Sequence, residues 1–112
     1  MSHPLAGRWD VRVKTPVGSL SVVYTFTESA AGLNGVAQSS SEIVQLTEIV
    51  ERETPAGRHV TWHQRVTRPL RLNIDFDVVV TSDDLHGYAR AGRLPPSRVT
   101  GHRCPPSERP RG

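Results

Sequence analysis

The residues whose types and spacing could bind a metal ion or act as acid and base are a pair of histidines and a pair of aspartates. His59 and His63 are four residues apart, but on a strand that spacing separates them by roughly 13 Å, too far to share a metal ion. Asp75 and Asp77 lie about 6.6 Å apart by strand rise, a separation that some carboxylate pairs use in glycosidases. Since we expect this pair on the outside of a sheet, we assign no catalytic residue and no metal site.

Other reactive groups are equally sparse. Cys104 is the single cysteine of the chain, so no internal disulfide can form, and its proline-rich surroundings supply no base to activate a thiol. No glycine-rich segment sits between a strand and a helix, where a phosphate-binding loop would be expected. We therefore expect no cofactor.

The elements that position these residues are strands. Strict alternation of apolar and polar residues, the period of a half-buried strand, covers 9–14, 20–27, 60–66 and 70–78. Seven turn segments rich in Gly, Pro, Ser and Asp divide the chain into eight strands. The stretch 41–53 is ambiguous, but its β-branched residues favour a bent strand over a helix. The pattern predicts an all-β, eight-stranded antiparallel up-and-down barrel.

The two halves of the chain repeat one another. Matching residues keep an offset of 52 or 53 positions through large aromatics, a proline and a glycine. The matched pairs are Trp9 with Trp62, Val13 with Val66, Pro16 with Pro69, Tyr24 with Phe76, and Gly35 with Gly87. We interpret this as duplication of a four-stranded half, because each half alone would leave two open sheet edges. The predicted halves are about 7–54 and 58–103.

Length and composition are consistent with one domain over 7–103, after a lead of 1–6 and before a disordered, proline-rich tail of 104–112. No apolar run is long enough for a membrane span, and the first residues lack the shape of a signal peptide, so we expect a cytoplasmic protein with no membrane partner. The net charge is +3, with thirteen arginines and one lysine. Because these cations are scattered among acids along the sequence, we expect no nucleic-acid partner.

The first and last predicted strands carry a recognisable pair. Gly7-Arg8-Trp9 opens the first strand and Arg103 closes the last, which resembles the calycin superfamily, comprising lipocalins and their short relatives. The resemblance implies a lipocalin-like barrel in which Trp9 lies at the closed end and Arg103 packs across it as a cation–π contact. The duplication predicts an echo of that contact, with Arg52 and Trp62 related in a similar way. The chain is shorter than lipocalins and lacks both their C-terminal helix and their acidic loop motif.

The interior of an eight-stranded barrel either is filled by side chains or holds one small ligand. Small residues at inward positions of the third and seventh predicted strands would leave a cavity unless larger neighbours fill it. These are Gly35, Ala37, Gly87, Ala89 and Ala91. The Tyr24 hydroxyl and the Gln64 amide are the inward polar groups that must bond to each other, to water or to a ligand.

Our leading interpretation is a non-enzymatic protein that binds a small apolar or amphipathic molecule, including anionic ones, inside the barrel. Tyr24 and Gln64 would orient the ligand. The apolar wall would come from Trp9, Trp62 and Phe76, with Arg68 and Arg93 at the mouth.

Two other functions remain open at this stage. A barrel enzyme, such as a cyclase or isomerase of small-molecule biosynthesis, would work largely through shape and desolvation and leave little signature. A packed interaction module without a ligand would instead act through its surface. In that case a homodimer through the outward residues Val23, Val36 and Val79 is one expected form.

Overall fold

The computed structural model describes residues 5–15, 18–30, 32–40, 42–67 and 72–104, and all regular structure in this part of the chain is β-strand. Its nine strands are β1 (Gly7–Thr15), β2 (Gly18–Ser29), β3 (Gly32–Gln38), β4 (Ile43–Gln45), β5 (Thr47–Thr54), β6 (Gly57–Val66), β7 (Leu72–Thr81), β8 (Asp84–Ala91) and β9 (Ser97–Arg103). Within these residues, no helix has the length and apolar character needed to cross a membrane. The predicted tail beyond Cys104 and the predicted lead before Leu5 lie outside the described residues.

The strands form one antiparallel sheet that curls into a nearly closed barrel. Their spatial order is β4-β3-β2-β1-β9-β8-β7-β6-β5. The first and last strands are neighbours, with Trp9 opposite Arg103 and Val13 opposite Val99. This pairing joins the two halves of the sheet, and it confirms the prediction of an all-β antiparallel barrel.

The predicted count of eight strands is wrong, because the expected fourth strand is divided at Leu46. Before it, β4 pairs with β3, and after it, β5 pairs with β6. The backbone N–H of Leu46 still donates to the Gly35 carbonyl at 2.9 Å, while the Thr47 hydroxyl already donates to the His63 carbonyl at 3.2 Å. The chain thus crosses from one edge of the sheet to the other in two residues, which brings the edges together and nearly closes the barrel.

A bulge accompanies this crossing. The register of β5 against β6 shifts between Thr47 and Val50, and Glu48 adopts a φ of 56°. Two residues of β5 therefore face a single residue of β6, as in a β-bulge, which increases local bending and twist. The sequence indicates a bent strand here, but it carries no glycine to mark the left-handed position.

Strand pairing is alike in the two halves of the barrel. Each half places a tryptophan opposite an aromatic residue of the next strand, and that residue opposite an alanine of the strand beyond. The two rows are Trp9–Tyr24–Ala37 and Trp62–Phe76–Ala89. The offset of 52 or 53 positions seen in the sequence is therefore kept by the hydrogen-bonded register.

The buried side chains lie on the inner surface of the barrel and come from almost every strand. The buried apolar residues are Leu5, Trp9, Val11, Val13, Tyr24, Phe26, Ala37, Leu46, Val60, Trp62, Phe76, Val78, Val80, Leu85, Ala89 and Val99. Gln64 is the single buried residue of polar or charged type in the described part of the chain.

The inward glycines do not create empty space. A Cβ on Gly87 would collide with the carbonyl oxygen of Asp77, and one on Gly35 would lie 2.7 Å from Cδ1 of Leu46 and 2.9 Å from the ring of Phe26. Neighbouring backbone and side chains therefore occupy the volume that these glycines leave. The sequence left open whether these glycines leave a cavity or are covered by larger neighbours. At both positions, neighbouring atoms cover them.

Candidate functional site

One end of the barrel is sealed by Trp9. Its ring is fully buried, its indole N–H donates to the Leu5 carbonyl at 3.0 Å, and the Arg103 guanidinium lies 4.5 Å from the ring centre. The cation–π contact implied by the resemblance is present. Trp9, predicted as part of a ligand wall, is covered on this side by Leu5 and Arg103. We call this the closed end.

Arg103 is held in place over Trp9 by further bonds. Its Nε donates to Oδ1 of Asp83 at 2.9 Å, and its Nη1 donates to the carbonyl of Ala6 at 2.6 Å. A planar guanidinium with several donors can bond in its plane while its face stacks on a ring. Arg103 thus ties β9 to the segment before β1 and to the β7–β8 turn.

The expected echo of this contact, Arg52 with Trp62, is wrong. Arg52 lies opposite His59 in the β5–β6 pair, and its Nη2 is 3.5 Å from His59 Nδ1. Trp62 instead faces the bulge at Glu48, because β5 and β6 are joined by a tight turn that fixes a different register. The repeated sequence is thus not matched by a repeated contact at this position.

The middle of the barrel is filled by a cluster of four aromatic rings. Trp62 stacks on Phe76, with ring centres 5.0 Å apart and an interplanar angle of 11°. Tyr24 lies 5.4 Å from Trp62 and 6.2 Å from Phe26. These spacings fall in the range of favourable aromatic pairs. Trp62 and Phe76, predicted to face a ligand, therefore pack largely against other rings.

Gln64 is the polar centre of this cluster. Its Oε1 accepts hydrogen bonds from the Tyr24 hydroxyl at 2.9 Å and from Nε1 of Trp62 at 3.1 Å. Gln64 is 5% exposed and Tyr24 is fully buried, so their predicted inward placement is confirmed. Of the partners that the sequence left open, the two residues bond to each other. Because an indole N–H can only donate, it fixes the carboxamide with its oxygen toward the rings and its nitrogen away from them.

The carboxamide nitrogen of Gln64 remains as a donor. Within the described residues, Nε2 donates to no acceptor, whereas Oε1 accepts two hydrogen bonds. Every fully buried side-chain polar atom in that part of the chain has a partner. Nε2 therefore keeps the small solvent access that Gln64 retains, on the side of the residue that faces away from the aromatic cluster.

Burial sets the protonation state of Tyr24. Removal from water raises the pKa of its hydroxyl far above the usual value, and the hydrogen bonds to Gln64 and then Trp62 offset only part of that increase. The hydroxyl consequently stays neutral at ordinary pH and acts as a donor to Gln64 rather than as a base.

At the end of the barrel opposite Trp9, which we call the open end, the inward-facing side chains among the described residues are apolar and less completely covered than those of the core. There, side chains in the same inward phase as the core are only partly covered: Leu20 is 58% exposed, and the others are half-buried. We call these residues the rim, and they are Leu20, Val22, Val44, Val66, Leu72 and Ile74. Gln64 is paired with Ile74 and is two residues from Val66 on the same side of β6, so it lies next to the rim.

The loops around the rim are partly described. Glu42 accepts from the backbone N–H of Thr67 at 2.8 Å and from its hydroxyl at 2.6 Å, which ties the β3–β4 loop to the end of β6. Arg93, predicted at the mouth, is exposed in the β8–β9 turn. Arg68, the other predicted mouth residue, lies outside the described residues.

Two histidine–aspartate pairs on the outside of the barrel were missed by sequence reasoning. Nδ1 of His63 is 2.8 Å from Oδ1 of Asp75, and Nε2 of His59 is 2.5 Å from Oδ1 of Asp77. The register that sets Trp62 opposite Phe76 also sets His63 opposite Asp75, so pairing the predicted strands would have found it. Among the described residues, no group of three or more His, Cys, Asp or Glu could hold a metal ion.

Comparison with models of protein families, with curated proteins and with solved structures gave no match for the chain. The class of the protein, an all-β, nearly closed antiparallel barrel, therefore follows from its strand order and pairing. Its function must be argued from the open end and the outer surface.

Proposed function

We propose that the protein binds a small apolar or amphipathic molecule at its open end, with a hydrogen-bond acceptor of the ligand on the Gln64 carboxamide nitrogen. The observation that carries this proposal is the combination of a nearly buried, unpaired donor with a ring of partly exposed apolar side chains. A few polar groups within an apolar concave surface are typical of small-molecule sites.

The donor gives the site its chemical preference. A carbonyl, ether or carboxylate oxygen placed on Nε2 would replace the little water that reaches this atom. The oxygen of the same carboxamide is held by Tyr24 and Trp62, so the donor is pre-oriented and loses little rotational freedom on binding. A hydrogen bond made under such conditions favours ligands with an acceptor over hydrocarbons of equal shape.

The rim supplies the apolar contact. Leu72 and Val66 are paired across β6 and β7. Val44 lies on β4, at the opposite edge of the sheet, where the two edges come together. Covering such side chains contributes about 25 cal/mol for each Å² of apolar area removed from water. Because the closed end is sealed by Trp9 and Arg103, the ligand enters from the open end only.

The charges near the open end extend the proposal to anionic ligands. Lys14 and Arg93 are exposed at this end, and Glu42 is engaged by Thr67. A positive potential at a mouth raises the local concentration of anions. A ligand with an acceptor on Gln64 and a carboxylate toward solvent would use both features.

We further propose that the barrel is a short, cytoplasmic relative of the calycins whose halves arose by duplication. The Trp9–Arg103 contact and the matching register of the two halves support this origin. The divided strand at Leu46 and the different setting of Arg52 would then be later departures of the first half.

Native mass spectrometry beside a denatured control is the first test, since it reports any molecule carried from the cell. The second test titrates the protein with acetophenone and ethylbenzene, which share a phenyl ring and a two-carbon side chain but differ by a carbonyl acceptor. We expect acetophenone to shift the NMR signals of the Gln64 carboxamide and the rim methyl groups. It should bind about three- to tenfold more tightly than ethylbenzene.

A pair of variants on β7 localises the binding. Leu72→Ser removes apolar area from the rim, whereas Val79→Ser makes a similar change on the outer surface of the same strand. We expect several-fold weaker acetophenone binding for the first variant and unchanged binding for the second. Equal effects, or shifts confined to the outer surface, would place the ligand elsewhere and refute the proposal. If neither compound shifted any rim or Gln64 signal, the packed interaction module would be the better interpretation.

A further inference from the structure

Several exposed cations make no ion pair with any described residue, and they occur on more than one part of the barrel. Arg58 and Arg103 are ion-paired, and the two histidines next to Asp75 and Asp77 are hydrogen-bonded to these carboxylates. On the outer surface of β1, β9 and β8, by contrast, the exposed cations make no ion pair with any described residue. We call the part of this surface that lies farther from the closed end the basic face, and its cations are Arg12, Lys14, Arg90 and Arg98; Arg8, also exposed on β1, lies beside the closed end.

The geometry of the basic face concentrates positive charge. Lys14 lies directly opposite Arg98 in the β1–β9 pair, and Arg12 is on the same side of β1 as Lys14. Like charges directly opposite each other on neighbouring strands are destabilising. Such an arrangement is relieved when an anion binds between them.

An exposed aromatic residue lies among these cations. Tyr88 is 54% exposed, is directly opposite Arg98 in the β8–β9 pair, and precedes Arg90 by two residues on the same side of β8. Tyr88 and Arg90 also border a shallow open concavity of about 590 Å³. Carboxylates border this surface: Asp10 is two residues from Arg12 on the same side of β1. Asp75 and Asp77 lie opposite Arg90 and Tyr88 on β7, line the concavity and are bonded by His63 and His59.

We propose that the basic face binds single-stranded nucleic acid, with phosphates on the four cations and a base stacked on Tyr88. A cationic surface that follows the backbone, combined with an exposed ring, is the usual design of such sites. An acidic peptide would use the cations but gain nothing specific from the ring. The binding site is on the outside of the barrel and uses none of the rim side chains, although Lys14 lies near both sites.

The sequence predicted no nucleic-acid partner, because its cations are scattered along the chain. They belong to three strands, β1, β8 and β9, which the barrel closure places side by side. The criterion of a basic stripe interleaved with exposed aromatic residues is thus met only after folding.

Fluorescence anisotropy with a fluorescein-labelled oligothymidylate of about 12 nucleotides tests the proposal on the full chain. We expect binding that weakens steeply with salt. The slope of log K against log salt should be about −3 for four phosphate contacts on a single strand.

Substitutions separate stacking from charge. Tyr88→Ala should weaken binding about tenfold, while Tyr88→Phe should preserve it, because stacking needs the ring and not the hydroxyl. Arg98→Ala should reduce the salt slope by about 0.7. Arg65→Ala removes the same charge from the exposed outer surface of β6, where Arg65 is bonded to Asn73, and serves as the matched control.

Three outcomes would overturn the proposal. The first is no binding at low salt. The second is an equal loss in Arg65→Ala and Arg98→Ala, which would indicate only a net-charge effect. The third is equal binding of Tyr88→Ala and Tyr88→Phe together with full displacement of the oligonucleotide by polyglutamate, which would assign the face to acidic protein segments.

Discussion

The indole N–H of Trp62 donates to the carboxamide oxygen of Gln64 across 3.1 Å, and this bond decides which end of the carboxamide faces the open end of the barrel. The two residues share the inner side of β6, and the Tyr24 hydroxyl from β2 completes the network at 2.9 Å. A single oxygen therefore satisfies two buried donors from opposite parts of the sheet.

Replacing that oxygen should be costly. Gln64→Met keeps a similar volume but leaves the Tyr24 hydroxyl and the Trp62 indole without a strong acceptor. We expect a loss of about 2–4 kcal/mol in the free energy of unfolding, because each unsatisfied buried donor costs about 1–3 kcal/mol. Urea denaturation followed by circular dichroism measures the change.

Two further variants control this measurement. Gln64→Glu retains an oxygen that accepts both bonds and should cost less than Gln64→Met at a pH where this nearly buried carboxyl group is protonated and uncharged. Arg65→Met alters the exposed neighbour on the same strand and should stay within about 0.5 kcal/mol of the parent protein. If Gln64→Met were as stable as Arg65→Met, the network would not contribute to stability.

Alkaline pH should destabilise the protein through Tyr24. Burial raises the pKa of this hydroxyl in the folded state above its unfolded value of about 10. The unfolded chain thus releases the proton first, so this contribution to stability is complete below pH of about 10. Above that value it falls by about 1.4 kcal/mol for each pH unit.

The measurement uses Tyr88→Phe, in which Tyr24 is the one remaining tyrosine. Absorbance of the ionised phenol should rise only together with loss of the near-ultraviolet circular dichroism of the aromatic cluster. The double variant that also carries Tyr24→Phe should lack the absorbance change. Ionisation of Tyr24 while the tertiary signal persists would contradict the assignment.

The two inward glycines should differ in their tolerance of a methyl group. In Gly87→Ala the new Cβ meets the backbone of Asp77 and Val78, which cannot move without breaking the β7–β8 pair. In Gly35→Ala it meets the ends of the Leu46 and Phe26 side chains, which can adjust. We expect Gly35→Ala to lower the free energy of unfolding by about 1–3 kcal/mol and Gly87→Ala to lower it by more. Thermal unfolding of both variants tests this order, and the reverse order would refute it.

The bulge at Glu48 should be improved by glycine. Glu48 has a φ of 56°, a conformation that costs a residue with a Cβ about 1–2 kcal/mol. Glu48→Gly should therefore leave the free energy of unfolding unchanged or raise it by about 1 kcal/mol. Glu53→Gly, on the same strand in a regular exposed position, should lower it. A comparable loss in both variants would mean that the left-handed position carries no strain.

Much of the barrel could be derived from the alternation of side chains. The inward placement of Trp9, Tyr24, Trp62, Gln64 and Phe76 follows from period-2 patterns, and all five are buried. The alternation is sufficient because a one-residue slip would turn every apolar side chain to solvent. The nine-strand count was not derivable, since the break at Leu46 depends on which edges the chain must join.

The candidate sites were likewise only partly predictable from the sequence. The sequence identified Tyr24 and Gln64 as inward polar residues, but the orientation of the carboxamide depends on the indole of Trp62. The cations of the basic face are visible in the sequence, but their proximity depends on the pairing of β1 with β9.

The sequence by itself determined the strands and their inward faces, because these depend on local periodicity and on which residue types avoid water. The tertiary structure alone decided where the chain crosses between the edges of the sheet, which donor of Gln64 remains free and which cations of distant strands lie side by side. Those properties arise from contacts between strands that are far apart in the chain, and local pattern contains no record of such contacts.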